Sequence, residues 1–235
     1  VTARRVLITG ASGFVGINLA RAMLASGHDV HAVVRASHRP WRLRDLHGAV
    51  TLHVADLLDP LALEALMASV RPHWVLHLAA YGAYSSQVDV TRCVRTNVEA
   101  SVALMDAAAR AGVERFINTG TSSEYGLMDH PPDEDEPLEP NSLYAVTKAA
   151  ATAYGRHVAR SGRLHVTTLR LYSVYGPYEE PTRLIPTVIL RGLQGGFPPL
   201  VSPEIARDFV YVDDVLSAYE AALHAEIPAG RIYNV

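Results

Sequence analysis

The stretch Val6-Leu7-Ile8-Thr9-Gly10-Ala11-Ser12-Gly13-Phe14-Val15-Gly16 constrains the chain more than any other. A run suited to a buried strand breaks at a glycine, and an apolar pattern at helical spacing (Phe14, Ile17, Met23, Leu24) follows almost at once. A strand, a glycine-hinged turn and a helix satisfy both patterns. Gly10 permits the tight turn, Gly13 leaves main-chain N–H groups open to a phosphate, and Gly16 lets the helix lie close on the strand. The unpaired N–H groups and the positive dipole end at the helix start face the same point. This context, strand before and helix after, predicts dinucleotide binding.

The alternation continues. Strands are expected over 29–34, 50–54, 73–78, 116–118, 164–171 and 231–235. Helices are expected over 60–70, from 90 to the stop at Gly112, beyond the Pro140-Asn141-Ser142 cap, and from Asp213 or Asp214 to His224. That rhythm predicts an α/β fold with a doubly wound parallel sheet. Residues 1–171 form the expected dinucleotide-binding domain. Residues 172–235 form a smaller substrate-binding region, thick in proline and glycine up to 199 and built on one helix, whose strand and helix near 208–225 pack back on the first domain. The chain starts without methionine and stops inside a strand, so a longer natural chain is expected.

At 235 residues and 49% hydrophobic, the chain can bury one sizeable core. Its 21 basic and 24 acidic residues are intermixed, with a net charge of −3, and offer no basic face for nucleic acid or membrane. No long apolar run or charged leader is present, so no membrane partner is expected either. Cys93 is the only cysteine, which fits a reducing cytoplasm. The 11 histidines lack ligand spacing, and no metal is expected. The acidic run 133–136 lies among prolines and reads as a solvated loop.

Arg35 ends the second strand, where a dinucleotide fold meets the adenine ribose. An acid there suits the 2′-OH of NAD, and an arginine suits the 2′-phosphate of NADP. With Ser37, His38 and Arg39 close behind, the cofactor expected is NADP, with NAD as the alternative; an ordinary basic loop is the competing reading. Small residues end the fourth strand at Ala79-Ala80-Tyr81-Gly82, and a hydroxyl-rich edge, Thr119 to Ser123, ends the fifth. Tyr144 and Lys148, the only lysine, lie four apart and share a helix face. A cation near a phenol lowers its pKa from about 10. Lys148 and an oxidised nicotinamide are expected to act so on Tyr144, which exchanges a proton with an oxygen held by Thr121 while hydride moves.

These residues, with Asp56-Leu57, His77-Leu78-Ala79-Ala80, Asn97-Val98, Tyr144 to Lys148, Val174 to Pro177 and Arg207 to Asp214, cover nearly the whole chain. They resemble the extended short-chain dehydrogenase/reductase family, especially its nucleotide-sugar epimerases, dehydratases and 4-keto reductases. The resemblance implies that Ser12, Phe14 and Val15 join the glycines at the cofactor, and that Asp56 and Leu57 hold the adenine. It implies that Leu78, Ala79, Ala80, Tyr81, Asn97, Thr119 and Tyr172 line the cofactor path and that Lys148 also binds the nicotinamide ribose. Thr121, Ser122, Ser123 and Ser173 would meet the sugar, and Arg207 its diphosphate. A homodimer through a helix pair is implied as well.

Sugar-nucleotide dehydratases of this family place an acid just after the threonine. Here Ser122 and Ser123 stand there and Glu124 comes one step late, which disfavours dehydration. Many relatives carry asparagine where this chain has Ser173. The expected function is an NADP(H)-dependent 4-keto-6-deoxy-sugar reductase of the CDP-paratose synthase type. A nucleotide-sugar epimerase with tightly held NAD is the alternative, and a non-catalytic dinucleotide sensor is the reading from another class.

Overall fold

The computed structural model describes residues 2–38, 40–84, 86–200, 202 and 206–235. In chain order the elements are β1 (Arg5–Thr9), α1 (Phe14–Ala25), β2 (Asp29–Val34), β3 (Thr51–Val54), α2 (Pro60–Val70) and β4 (Trp74–His77). Then come α3 (Val90–Val94), a π-helical turn (Arg95–Glu99), α4 (Ala100–Arg110), β5 (Arg115–Thr121) and α5 (Leu143–Arg160). The last third holds β6 (Val166–Leu171), β7 (Ser173–Tyr175), α6 (Leu184–Leu193), β8 (Phe209–Tyr211), α7 (Val212–His224) and β9 (Ile232–Asn234).

Seven strands make one parallel sheet in the order β3-β2-β1-β4-β5-β6-β9. Side chains alternate across it, so Val6 and Ile8 of β1 enter one core with Ile17 and Met23 of α1 and Val215 and Tyr219 of α7. Leu7 enters the other, with Leu63 of α2, Leu104 of α4 and Val158 of α5. Helices on both faces explain why the central strands read as continuous apolar runs. Local chemistry starts the helices: Asp59 accepts from the Leu61 and Ala62 N–H groups beside Pro60, and Ser142 Oγ, in the expected cap, accepts from Ala145 N–H.

The long helical run from Val90 is one run with a π turn inside it, which periodicity alone does not reveal. β7 and β8 form a separate parallel pair that sets Ser173 opposite Phe209. α7 packs on α1, β5 and β6, and β9 closes the main sheet beside β6, so the stretch after β8 belongs to the same layers as the first 171 residues. The acidic loop is not simply solvated, a correction to the sequence expectation. Arg170 donates to the Glu134 carbonyl, Asn234 N–H donates to Glu134 Oε1, and Asn234 Nδ2 donates to the Pro132 carbonyl. The loop is tied to the C-terminal edge of the sheet.

Gly10 has φ +71, and a Cβ there would lie 2.6 Å from the Leu78 carbonyl carbon. A Cβ on Gly16 would lie 2.3 Å from the Gly10 oxygen, so the close approach is to the turn itself and not to the strand. Gly16→Ala should therefore force the turn open, destabilising the protein by about 1–3 kcal/mol and abolishing dinucleotide retention. Thermal melting and cofactor titration would read both effects, and an unchanged titration would contradict the assigned geometry.

Candidate active site

β1 lies between β2 and β4, and the connections leave it on opposite sides, which opens a crevice beyond the strand ends. A groove of about 450 Å³ occupies it, walled by Gly10, Ser12, Gly13 and Phe14 at the turn, Arg35, Asp56 and Leu57 on one side, and Leu78, Ala79 and Ala80 on the other. Gly13 caps α1 without a side-chain hydrogen bond, which leaves first-turn N–H groups directed at the groove. A Cβ on Gly13 would meet the Gly10 oxygen at 3.1 Å. These features fit a dinucleotide. Arg35 is exposed on the wall beside Ser37 and His38, while Arg39 lies outside the described residues.

A second cavity, about 820 Å³, adjoins the groove through Tyr84 and Gln87. Thr121, Ser122, Ser123, Tyr144, Tyr172, Ser173 and Arg207 all line it, brought together from β5, α5, the end of β6 and the approach to β8. Arg183 lines it too. Sequence reasoning missed this residue, which sits in the irregular stretch before α6 where spacing carries no signal. The cavity wall carries two arginines and no carboxylate among its described residues.

Six expected site residues line neither cavity. Val15 and Gly16 face inward on the first turn of α1. Thr119 is hydrogen-bonded to the Tyr219 hydroxyl beneath β5. Tyr81 lies under the Arg92 guanidinium, 4.6 Å from its ring centre. Asn97 is fully buried in the π turn, where Oδ1 accepts from Tyr81 N–H at 2.8 Å and Nδ2 donates to the Tyr81 carbonyl at 2.7 Å. Lys148 is 2% exposed, one helical turn behind Tyr144. Asn97 thus shapes the loop that borders the groove without bordering it itself.

Opposing influences meet at the phenol of Tyr144. Burial pushes it up to about 12, the Glu124 carboxylate adds to that, and a hydrogen bond with Thr121 offsets only part. Burial also disfavours the Lys148 ammonium, whose pKa is lowered against the opposing pull of Glu124. Tyr144 therefore holds its proton at neutral pH, as a proton donor must. Behind it, His77 is held near 3 by burial, with the Lys148 charge adding to the effect.

That shift has a consequence for stability. The folded value lies below the ordinary 6.5, so the unfolded chain binds the extra proton between them. Stability is full above about pH 6.5 and falls as pH drops towards the folded value, by about 1.4 kcal/mol per unit from this group. The drop in melting temperature from pH 7 to pH 5 should be visibly smaller in His77→Phe than in the wild type. An equal drop would show that His77 does not titrate as described.

Glu124 explains why the edge of β5 carries hydroxyls and no acid. Thr121 caps the short 3-10 turn Ser122–Tyr125, and Glu124 closes a capping box with it. Glu124 is fully buried, accepting from Thr121 N–H and Thr152 Oγ1 through Oε1 and from Arg170 Nε through Oε2. Arg170 is 2% exposed and also donates to the Tyr125 hydroxyl at 2.6 Å. The one carboxylate near the expected position is spent on the core.

His28, Glu220 and His224 come together beside Trp74 at the start of β4, a grouping the sequence spacing conceals. His28 Nδ1 accepts from Arg4 N–H, which leaves the ring proton of the neutral side chain on Nε2, so neither ring nitrogen has an unused lone pair. A metal needs that lone pair free. Among the described residues, no helix is long and apolar enough to cross a membrane.

Comparison with known proteins agrees with the geometry. The sequence profile of the NAD dependent epimerase/dehydratase family matches residues 6–235. The chain is 33% identical to a dTDP-glucose 4,6-dehydratase of Streptomyces griseus, over 98% of its own length and 72% of that protein's. It is 32% identical to a UDP-glucose 4-epimerase of Mycolicibacterium smegmatis, over 96% of this chain and 74% of the relative. The crystal structure of a UDP-glucuronic acid 4-epimerase from Bacillus cereus with UDP-glucuronic acid and NAD superposes with a TM-score of 0.86 at 26% identity, covering 98% of this chain and 77% of that one. A three-glycine turn, a parallel sheet covered on both faces, the Tyr144/Lys148 pair and a profile match over nearly every residue make the chain a member of the NAD dependent epimerase/dehydratase family, within the extended short-chain dehydrogenase/reductase enzymes.

Proposed function

We propose that this chain moves hydride to C4 of a nucleotide-diphosphate sugar without eliminating water, as an NADPH-dependent 4-keto-sugar reductase. The observation that carries the reading is the burial of Glu124 in its pair with Arg170, which leaves Ser122 and Ser123 facing the sugar cavity. Elimination across C5 and C6 needs its own acid and base, and these hydroxyls supply neither. A nicotinamide bound in the groove would supply the hydride. Tyr144, with its proton on, donates to the C4 oxygen, and Thr121 orients that oxygen. Arg207 and Arg183 supply the positive charge that a diphosphate requires.

Arg35 on the adenine-side wall supports NADPH over NADH. The second reading, a 4-epimerase that retains NAD, is supported by the likeness to a solved UDP-sugar epimerase with NAD. Two assays separate them. A reductase oxidises NADPH stoichiometrically when given CDP-, GDP- or dTDP-linked 4-keto-6-deoxy sugars, whereas an epimerase releases NAD on denaturation and interconverts UDP-sugars without net oxidation. Net formation of a 4-keto-6-deoxy product from a nucleotide hexose would overturn both. Pairing of two copies through a helix pair is part of the same proposal, read by sedimentation.

A further inference from the structure

Beneath the cofactor groove lies a set of buried polar side chains that take no part in the proton transfer just described. Thr9, His77, Asn97 and Ser101 are each at most 1% exposed, and Thr147 is 3% exposed. Ser101 Oγ donates to the Asn97 carbonyl at 2.7 Å, and a carbonyl can only accept. The single Ser101 proton is thereby used, so the 2.8 Å contact with His77 Nε2 runs from the ring N–H to the serine oxygen. A neutral imidazole with its proton on Nε2 accepts at Nδ1, and Thr9 Oγ1 donates there at 2.7 Å. Thr9 Oγ1 in turn accepts from Ala79 N–H at 3.3 Å. Every proton in this chain has one direction, from the Ala79 amide to the Asn97 carbonyl.

The far end is anchored to the proton donor. Asn97 Nδ2 donates to Thr147 Oγ1 at 2.9 Å, and Thr147 Oγ1 donates to the Tyr144 carbonyl at 2.9 Å. The same Asn97 side chain grips both backbone groups of Tyr81. The π turn that carries Asn97 is the common meeting point, and such turns often mark functional positions.

We infer that His77 is a positioning residue: it ties the backbone of the groove-bordering loop Ala79–Tyr81 to the π turn, and through Asn97 and Thr147 to the backbone of Tyr144. Filling the groove against Ala79 and placing the Tyr144 hydroxyl at the sugar are then one event, because the two backbones share a fully satisfied buried network. A ring that stays neutral through the physiological range never reverses the chain. The consequence for catalysis rests on the hydride-transfer reading above; the mechanical coupling does not.

Three variants test it: Thr9→Val removes the hydroxyl and keeps the shape, Thr9→Ser keeps the hydroxyl and loses a methyl, and Ser101→Ala cuts the chain with the smallest deletion. Amide hydrogen exchange is measured on the whole chain without cofactor or sugar, alongside NADPH affinity by its fluorescence. Thr9→Val and Ser101→Ala should each speed exchange about tenfold at both 79–81 and 97–101, and each should weaken NADPH binding about tenfold. Thr9→Ser should stay close to wild type in both readouts. Exchange changed only next to each substitution, or Thr9→Ser as damaging as Thr9→Val, would overturn the inference. If Thr9→Val does not fold, Ser101→Ala alone decides, since its effect must reach Ala79. Failure of the wild type to turn over any sugar nucleotide would sink the proposed reaction and leave the exchange result standing.

Discussion

Tyr144→Phe should lower turnover by about 10³-fold, within the 10²–10⁴ range of positioned proton donors, while the protein still folds and takes up its dinucleotide. The ring remains to fill the space beside Gly82, where a Cβ would approach the Tyr144 Cβ at 3.4 Å, so only the hydroxyl is lost. Since burial holds the phenol up near 12, the reductive rate should be flat through neutral pH and should not fall until strongly alkaline conditions remove the proton. Steady-state rates with a 4-keto sugar nucleotide from pH 6 to 9 check the profile. A rate that falls steeply below pH 9 would mean that a cation near the phenol wins after all. A phenylalanine variant that keeps cofactor binding and every measurable biological effect unchanged would favour a dinucleotide sensor over an enzyme.

Arg170→Met should destabilise the protein by about 3–5 kcal/mol, the usual cost of leaving one member of a buried ion pair without its partner. The pair is deep, with Arg170 2% and Glu124 0% exposed, and Glu124 has further partners in Thr121 and Thr152. Removing both charges together, as Arg170→Met with Glu124→Gln, should recover a large part of the loss, because the penalty lies in the stranded carboxylate. Urea unfolding of the two single variants and the double variant closes the cycle. Arg170→Met should also slow turnover, since Glu124 fixes Thr121 N–H and hence the start of the turn that holds the Thr121 hydroxyl. Additive losses in the double variant would argue against the assigned pairing.

The fold was legible because its signals are local and redundant. The glycine turn and Ser142 each announce a helix start, and uninterrupted apolar strands announce a sheet covered on both sides. The glycines of the turn and the small residues Ala79 and Ala80 were legible for the same reason, each at a strand end that periodicity locates, whereas Ser12, Phe14, Asp56, Leu57 and Leu78 rested on the family resemblance. Arg183, the β7–β8 pair and the anchoring of the acidic loop were not, since they depend on contacts between segments far apart in sequence. Burial, which spacing alone does not reveal, acts against the charged form of Tyr144 and of Lys148 alike. The burial of Asn97 in a π turn was not legible either, because such a turn leaves no trace in the apolar pattern.

The 3-10 turn after Thr121 makes the reaction type a matter of phase. Three residues complete a revolution in such a turn, so Ser122, Ser123 and Glu124 point about 120° apart. Moving an acid by a single position turns a group that would face a sugar into one that braces the sheet. Grafting elimination chemistry onto this scaffold would thus take a new carboxylate at 122 or 123 while Glu124 stays in place, and two acids would then share one small turn. Repulsion between them would raise the proton affinity of the newcomer, which is what an acid poised to protonate a leaving hydroxyl needs.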